Sequence, residues 1–167
     1  FLSSTSMYQF KNFIDLNSEE VRLVWRWRNN PEVRKWSYSS EEKNLHDHMD
    51  FIESLRSSND KKYWLVQRKG NPIGVISLVN INKGFAELGF YLGPKFYFKF
   101  FSVEFLYNTL LFIFEEINMK GIYGYVMVDN KAAIALNDFF GFDKETRMLA
   151  VGGQLYEYCF RQMCYKA

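Results

Sequence analysis

The chain predicts a mixed, mostly antiparallel central sheet of about seven strands with helices on both faces, in the α/β (α+β) class. Three observations carry this. Short runs with strand-like composition, 62–68, 73–82 and 85–92, are bounded by Gly, Asn and Pro, as in a meander of hairpins. Longer stretches repeat apolar residues every three or four positions, the period of a helix that packs on one side. A strand, helix, strand unit then follows the meander, and its crossover must be right-handed, which makes the sheet mixed and covers both of its faces.

Taken in order, residues 8–14 read as a strand. Asn17 with Glu20 three positions later resembles a capping box that opens a helix through about Arg28, and Asn29-Asn30-Pro31 ends it. A second helix is expected from about Ser40 to Arg56, with Leu45, Met49, Ile52 and Leu55 as its inward stripe. Two strands flank the turn Gly70-Asn71-Pro72, and a third follows Lys83-Gly84. After Pro94 comes an aromatic loop and a long helix, about Ser102 to Asn118, apolar on most of its circumference and therefore expected to be buried. Residues 121–128 read as the next strand.

The stretch VMVDNKAAIALNDFFGF, 126–142, is the most informative. Asp129 and Asn130 are N-cap types, and Gly141 is the residue expected where a helix ends in a left-handed turn. Asn130, Ala133 and Asn137 share one helical face, while Ala132, Leu136, Phe139 and Phe140 form the apolar stripe expected to pack inward. Two last strands, about 145–151 and 154–165, join at Gly152-Gly153. The order is β α α β β β α β α β β.

A length of 167 residues fits one domain, here Met7 to the C-terminus, with 1–6 (FLSSTS) read as an expression remnant. A net charge of +2 without a basic tract argues against a nucleic-acid partner, and no uncharged run approaches the length of a membrane span. No signal peptide is present, so a cytoplasmic location is expected. The 19% aromatic content fits either a dense core or a pocket with aromatic walls. Cys159 and Cys164 fall in one predicted strand at odd spacing, so they face opposite sides and are expected to stay reduced. His46 and His48 point to different faces of a helix and make a poor metal pair, so no metal is expected.

The order of elements, ELGFYLGP at 87–94 and DNKAAIALNDFFGF at 129–142 resemble the GNAT superfamily of acetyl-CoA-dependent N-acetyltransferases. Within it, Trp27-Arg28-Asn29-Asn30-Pro31, Val33-Arg34-Lys35-Trp36 and His48-Met49-Asp50-Phe51-Ile52 resemble the bacterial pseudaminic-acid-pathway enzymes, which acetylate the 4-amino group of a UDP-linked 4-amino-4,6-dideoxy-N-acetyl-altrosamine. The resemblance implies strands that splay around the pantetheine arm of acetyl-CoA, the cosubstrate, contacted by Phe90, Tyr91, Leu92, Asn130, Ala133 and Asn137. It places the coenzyme pyrophosphate at Lys99-Phe100-Phe101-Ser102-Val103. Here the chain departs from the family, which puts glycines there so that backbone N–H groups can approach the phosphates.

For catalysis the resemblance points to Glu87 as base acting through water, Ser77 as relay, and Asn137 where many relatives carry an acidic tyrosine. An asparagine can donate a hydrogen bond to the departing thiolate but cannot protonate it. The nucleotide sugar is assigned to Arg28, whose paired donors suit a diphosphate, and to Tyr38, His48, Phe51, Tyr91 and Tyr125. Direct attack in a ternary complex is implied. Two alternatives stand beside it: acetylation of protein N-termini, as in ribosomal-protein-type relatives, and a degenerate GNAT fold that only binds. A homodimer is left open.

Overall fold

Tyr8–Asn12 (β1) pairs antiparallel with Lys62–Arg68 (β2), β2 with Asn71–Asn82 (β3), and β3 with Phe85–Leu92 (β4). Gly121–Met127 (β5) joins β4 in parallel. The final hairpin, Asp143–Val151 (β6) and Gln154–Gln162 (β7), closes the sheet with β7 inside, so that among the described residues seven strands run in the order β1-β2-β3-β4-β5-β7-β6. The structure is a computed structural model that describes residues 7–37, 39, 41–96, 99–151 and 154–162, with side chains through Asp143 other than those of Lys99 and Phe100.

Five helices cover the sheet among these residues: Ser18–Asn29 (α1), Pro31–Arg34 (α2), Leu45–Ser54 (α3), Lys99–Leu111 (α4) and Lys131–Phe139 (α5). Asn17 and Glu20 form the full capping box, each side chain accepting the other's backbone N–H, and Lys11 pairs with Glu20 at 2.7 Å to fasten α1 to β1. Because strand side chains alternate, the sheet has two different faces. One buries Trp64, Val66, Ile76, Leu78 and Ala86 under Phe105, Leu106 and Ile113 of the α4 segment. The other buries Leu65 and Val75 under Val24 and Trp27 of α1 and Ile52 of α3.

Several sequence expectations need correction. The second helix starts at Leu45, not Ser40, because Asn44 caps it and the preceding Lys43 is tied to α1: its N–H donates to the Asn29 side chain at 2.9 Å, and its carbonyl accepts from Asn29 and Trp25. Pro31 does not simply end a helix but opens the short α2 at its first position, where a missing N–H costs nothing. In α3 the inward stripe takes His48, 5% exposed, in place of Met49, which is 53% exposed. The hairpin turn after β2 is Lys69-Gly70, both with positive φ, so Asn71 and Pro72 already belong to β3.

The remaining differences concern the helices beside the expected coenzyme site. α4 begins at Lys99, so the expected phosphate loop is its first turn, and its last stretch, Phe112–Glu116, widens into a π turn. In α5 the stripe is rotated: Phe139 is 70% exposed and Ala132 is exposed, whereas Asn137 is buried beside the packed Leu136 and Phe140. The face carrying Asn130, Ala133 and Asn137 therefore looks into the molecule. The reading of the two cysteines rests on Cys164 and on the side chain of Cys159, which lie outside the described residues.

Candidate functional site

The site begins where pairing stops. β4 and β5 are in register only at Phe85, Ala86 and Glu87 against Gly121, Ile122 and Tyr123, although both strands continue, to Leu92 and Met127. The Gly93 N–H donates to the Ile73 carbonyl at 2.8 Å, which fixes the alternation on β4: peptide groups of odd-numbered residues face β3, and those of Leu88, Phe90 and Leu92 face the gap. Beyond the Leu88 N–H, which the Glu87–Tyr123 pairing uses, these groups have no strand partner on that side among the described residues. A ligand with its own amides can supply one, as an added strand does at a sheet edge.

On the α1 face, the β2, β3 and β4 registers line up polar side chains. Tyr63 is opposite Ser77, Ser77 is opposite Gly89, and Glu87 stands two residues back along β4, opposite Tyr123 of β5. Gly89 makes room: a Cβ there would sit 2.7 Å from the Ser77 hydroxyl oxygen. Burial holds the Tyr63 phenol above its ordinary range; Arg28 pulls it down, Glu87 pushes it up, and a hydrogen bond with Ser77 pulls it down again. Tyr123 is likewise raised by burial and by Glu87 and Tyr125, against a hydrogen bond with Asn80. Both phenols stay protonated at neutral pH and can donate. A cavity of about 580 Å³ opens beside Tyr123, bounded by Asp60, Asn80, Lys83 and Phe85.

Arg28 and His48 close this face from α1 and α3. One Arg28 guanidinium nitrogen donates to the Ser39 carbonyl at 3.2 Å, while another, Nη1, is buried with no hydrogen-bond partner among the described residues. The His48 Nε2 is buried and likewise has no partner among the described residues. Burial lowers the His48 pKa, a hydrogen bond with the Val21 backbone opposes this, and the charges of Lys43 and Arg28 lower it further, so the ring is neutral near pH 7. Unsatisfied buried donors are expensive, and an Arg held that way suits an anionic ligand.

Other expected positions distribute as follows. Phe51 packs edge-on against Tyr63 at 5.0 Å, and Tyr91 lies against the α1-side core, which places both at the rim of the array. Phe90 contacts Phe105 on the opposite face. Phe101 packs against Phe96 and under the Arg68 guanidinium, while Ser102 and Val103 are half-buried on the first turns of α4. The Asn130 side chain caps α5 by accepting from the Ala133 N–H at 3.2 Å. Leu92 is buried at the end of β4, and Tyr125 is half-buried on β5. Tyr38 and the side chains of Lys99 and Phe100 lie outside the described residues. His46 pairs with Asp50 on the surface, and among the described residues no group of three or more His, Cys, Asp or Glu could hold a metal.

Tyr63, Tyr123 and Asn80 were not expected at the site. Their only sequence signal is the strand register, which no local pattern sets. A splayed parallel pair beside a half-buried polar array suits acyl transfer from a pantetheine thioester, and the acetyltransferase (GNAT) domain matches residues 13–143. The chain belongs to the GNAT acetyltransferase family. As a GNAT protein it is an acetyl-CoA-dependent N-acetyltransferase.

Among its relatives, the acetyltransferase PseH of Campylobacter jejuni, in each of two strains, is 30% identical over 164 residues, which is 96% of this chain and 98% of that protein. The crystal structure of Campylobacter jejuni N-acetyltransferase PseH in complex with acetyl coenzyme A has a TM-score of 0.72 at 25% identity, covering 95% of this chain and 100% of that one. A spermidine N-acetyltransferase from Vibrio cholerae, solved with CoA and spermine, has a TM-score of 0.82 at 20% identity over 95% of this chain and 96% of that one, a likeness of fold. No helix among the described residues is long and apolar enough to cross a membrane.

Proposed function

We propose that this GNAT enzyme acetylates the 4-amino group of a UDP-linked amino-dideoxy sugar, as in pseudaminic acid pathways, by direct attack in a ternary complex. The observation that carries this is Arg28, whose buried Nη1 has no hydrogen-bond partner among the described residues, on the face that also holds Glu87, Ser77 and Tyr63. A diphosphate offers the acceptors that satisfy such a guanidinium, while a peptide N-terminus brings a cation. The similarity to PseH along nearly the whole chain points the same way.

Acetyl-CoA supplies an activated acyl group whose thiol leaves readily near neutral pH. The residues do the rest. The backbone N–H of Phe90, aimed into the gap, donates to the thioester oxygen as negative charge builds on it. Glu87 takes the proton of the attacking amine through water, with Ser77 relaying and the protonated Tyr63 holding the Ser77 hydroxyl in place. As the C–N bond forms and the C–S bond breaks, Asn137 donates a hydrogen bond to the sulfur, which then takes its proton from water. The neutral His48 ring adds a hydrogen-bonding edge without adding charge beside Arg28.

The test is transfer from acetyl-CoA to a panel of UDP-amino sugars and of N-terminal peptides, followed by thiol release and mass. Acetylation of a UDP-4-amino sugar, with its KM raised in Arg28→Met, is expected. Modified peptides with untouched sugars would overturn the acceptor assignment.

A further inference from the structure

The expected phosphate segment has no glycine, yet it is the first turn of α4, which follows the open end of β4. Free N–H groups at a helix start attract anions only if they are held in place. Three residues remote from the reacting atoms hold this one. Glu104, on the second turn of α4, accepts from the Tyr8 hydroxyl of β1 at 2.8 Å and from the Arg68 Nε of β2. The Arg68 guanidinium also covers the Phe101 ring of the first turn, 5.3 Å from its centroid. Phe101 in turn packs against Phe96, so the turn is held from both sides. Tyr8 is buried, and the Glu104–Arg68 pair is only partly exposed, so this is a fixed contact between helix and sheet edge.

We infer that Tyr8, Arg68 and Glu104 are positioning residues for the diphosphate of coenzyme A, acting through the first turn of α4. Glycine-rich loops reach phosphates by backbone freedom; here side chains order the turn before the ligand arrives, which lowers the ordering cost at binding. Arg68 also neutralises Glu104, a carboxylate that would otherwise repel the diphosphate from within the same helix. The inference rests on the coenzyme requirement of the family and is independent of the acceptor proposed above.

The test reads binding of two donors to the intact enzyme, acetyl-CoA and S-acetylpantetheine, which shares the thioester and amide arm but lacks the diphosphate. Calorimetry serves the first and ligand-observed NMR the second. Arg68→Met is expected to weaken acetyl-CoA by about tenfold, from loss of a charge-assisted bond, and S-acetylpantetheine by no more than about twofold. Arg68→Lys, which keeps the charge, should recover part of the loss. Tyr8→Phe removes only a hydroxyl from a buried ring, keeps the fold if Arg68→Met does not, and should show the same asymmetry at about threefold. Equal weakening of both donors, or of neither, overturns the inference.

Discussion

On the α4 side of the sheet, Phe105, Leu106 and Ile113 are fully buried and the rings of Phe10 and Phe112 stack at 4.1 Å. On the α1 side, carried by the alternate residues of the same strands, Leu65 and Val75 share the surface with Tyr63, Ser77 and Glu87, and Arg28 and His48 each bury a nitrogen without a partner among the described residues. The first face is apolar contact for the most part, its polar exceptions being the Tyr8–Glu104–Arg68 network and the Thr109 hydroxyl, which is buried without a partner among the described residues. The other keeps polar groups out of water with incomplete compensation, a cost that only a ligand removes. The division teaches that stability and chemistry are assigned here by strand parity: shifting one residue along β3 or β4 moves from one to the other.

Substitutions should therefore sort by face, and the largest effect belongs to the apolar one. Phe105→Ala is expected to cost about 3–5 kcal/mol in a denaturant titration, since Phe105 contacts Phe90 and lies against Gly74. A cost under about 1 kcal/mol would mean that this face is not the stabilising one. On the polar face, Glu87→Gln should lower kcat/KM by about a hundredfold or more while leaving the melting temperature unchanged, with the loss reading as a missing proton acceptor. If stability falls and rate does not, Glu87 belongs with the packing residues.

Next in size is Gly89→Ala. Its new methyl group meets the Ser77 oxygen at 2.7 Å, so Ser77 must turn away, and a drop in kcat of about tenfold with little change in acetyl-CoA binding is expected. At the capping box, Asn17→Ala should cost about 1 kcal/mol, which thermal unfolding can resolve. The smallest effect is on pH dependence. Because the folded-state pKa of His48 is lowered, the unfolded chain binds a proton first as pH falls below about 6.5, and stability declines from there toward the lower folded pKa. His48→Asn should flatten that decline, as melting temperatures between pH 7 and 5 will show.

How much of this was legible in the sequence differs by face as well. The capping box, the three-strand meander and the buried helix before β5 are local patterns, and they read correctly from residue type and period. The α5 stripe misread for a physical reason: period alone cannot say which face points inward when asparagine and alanine face the core and Phe139 faces solvent. Met49 and His48 exchanged roles for the same reason, since hydropathy favours the methionine while the α1–α3 packing buries the histidine. At the site, Glu87, Ser77 and Arg28 were named from resemblance. Their neighbour Tyr63 depends on β2–β3 register, and the Tyr8–Glu104 bond spans 96 positions, a separation no window of sequence covers.

Gly93 has a consequence for the spacing of the two substrates. A Cβ there would fall 2.7 Å from the Trp27 indole, so the chain just past β4 and the last turn of α1 meet through that one ring, with no side chain from the Gly93 side. Trp27 precedes Arg28, and Gly93 follows Leu92, so the residue proposed to hold the acceptor and the end of the strand proposed to hold the thioester are each one peptide from this contact. On the proposed assignment, the spacing of the two substrates is gauged by one aromatic ring lying on bare backbone, and a methyl group at Gly93 would push Trp27 away and widen it.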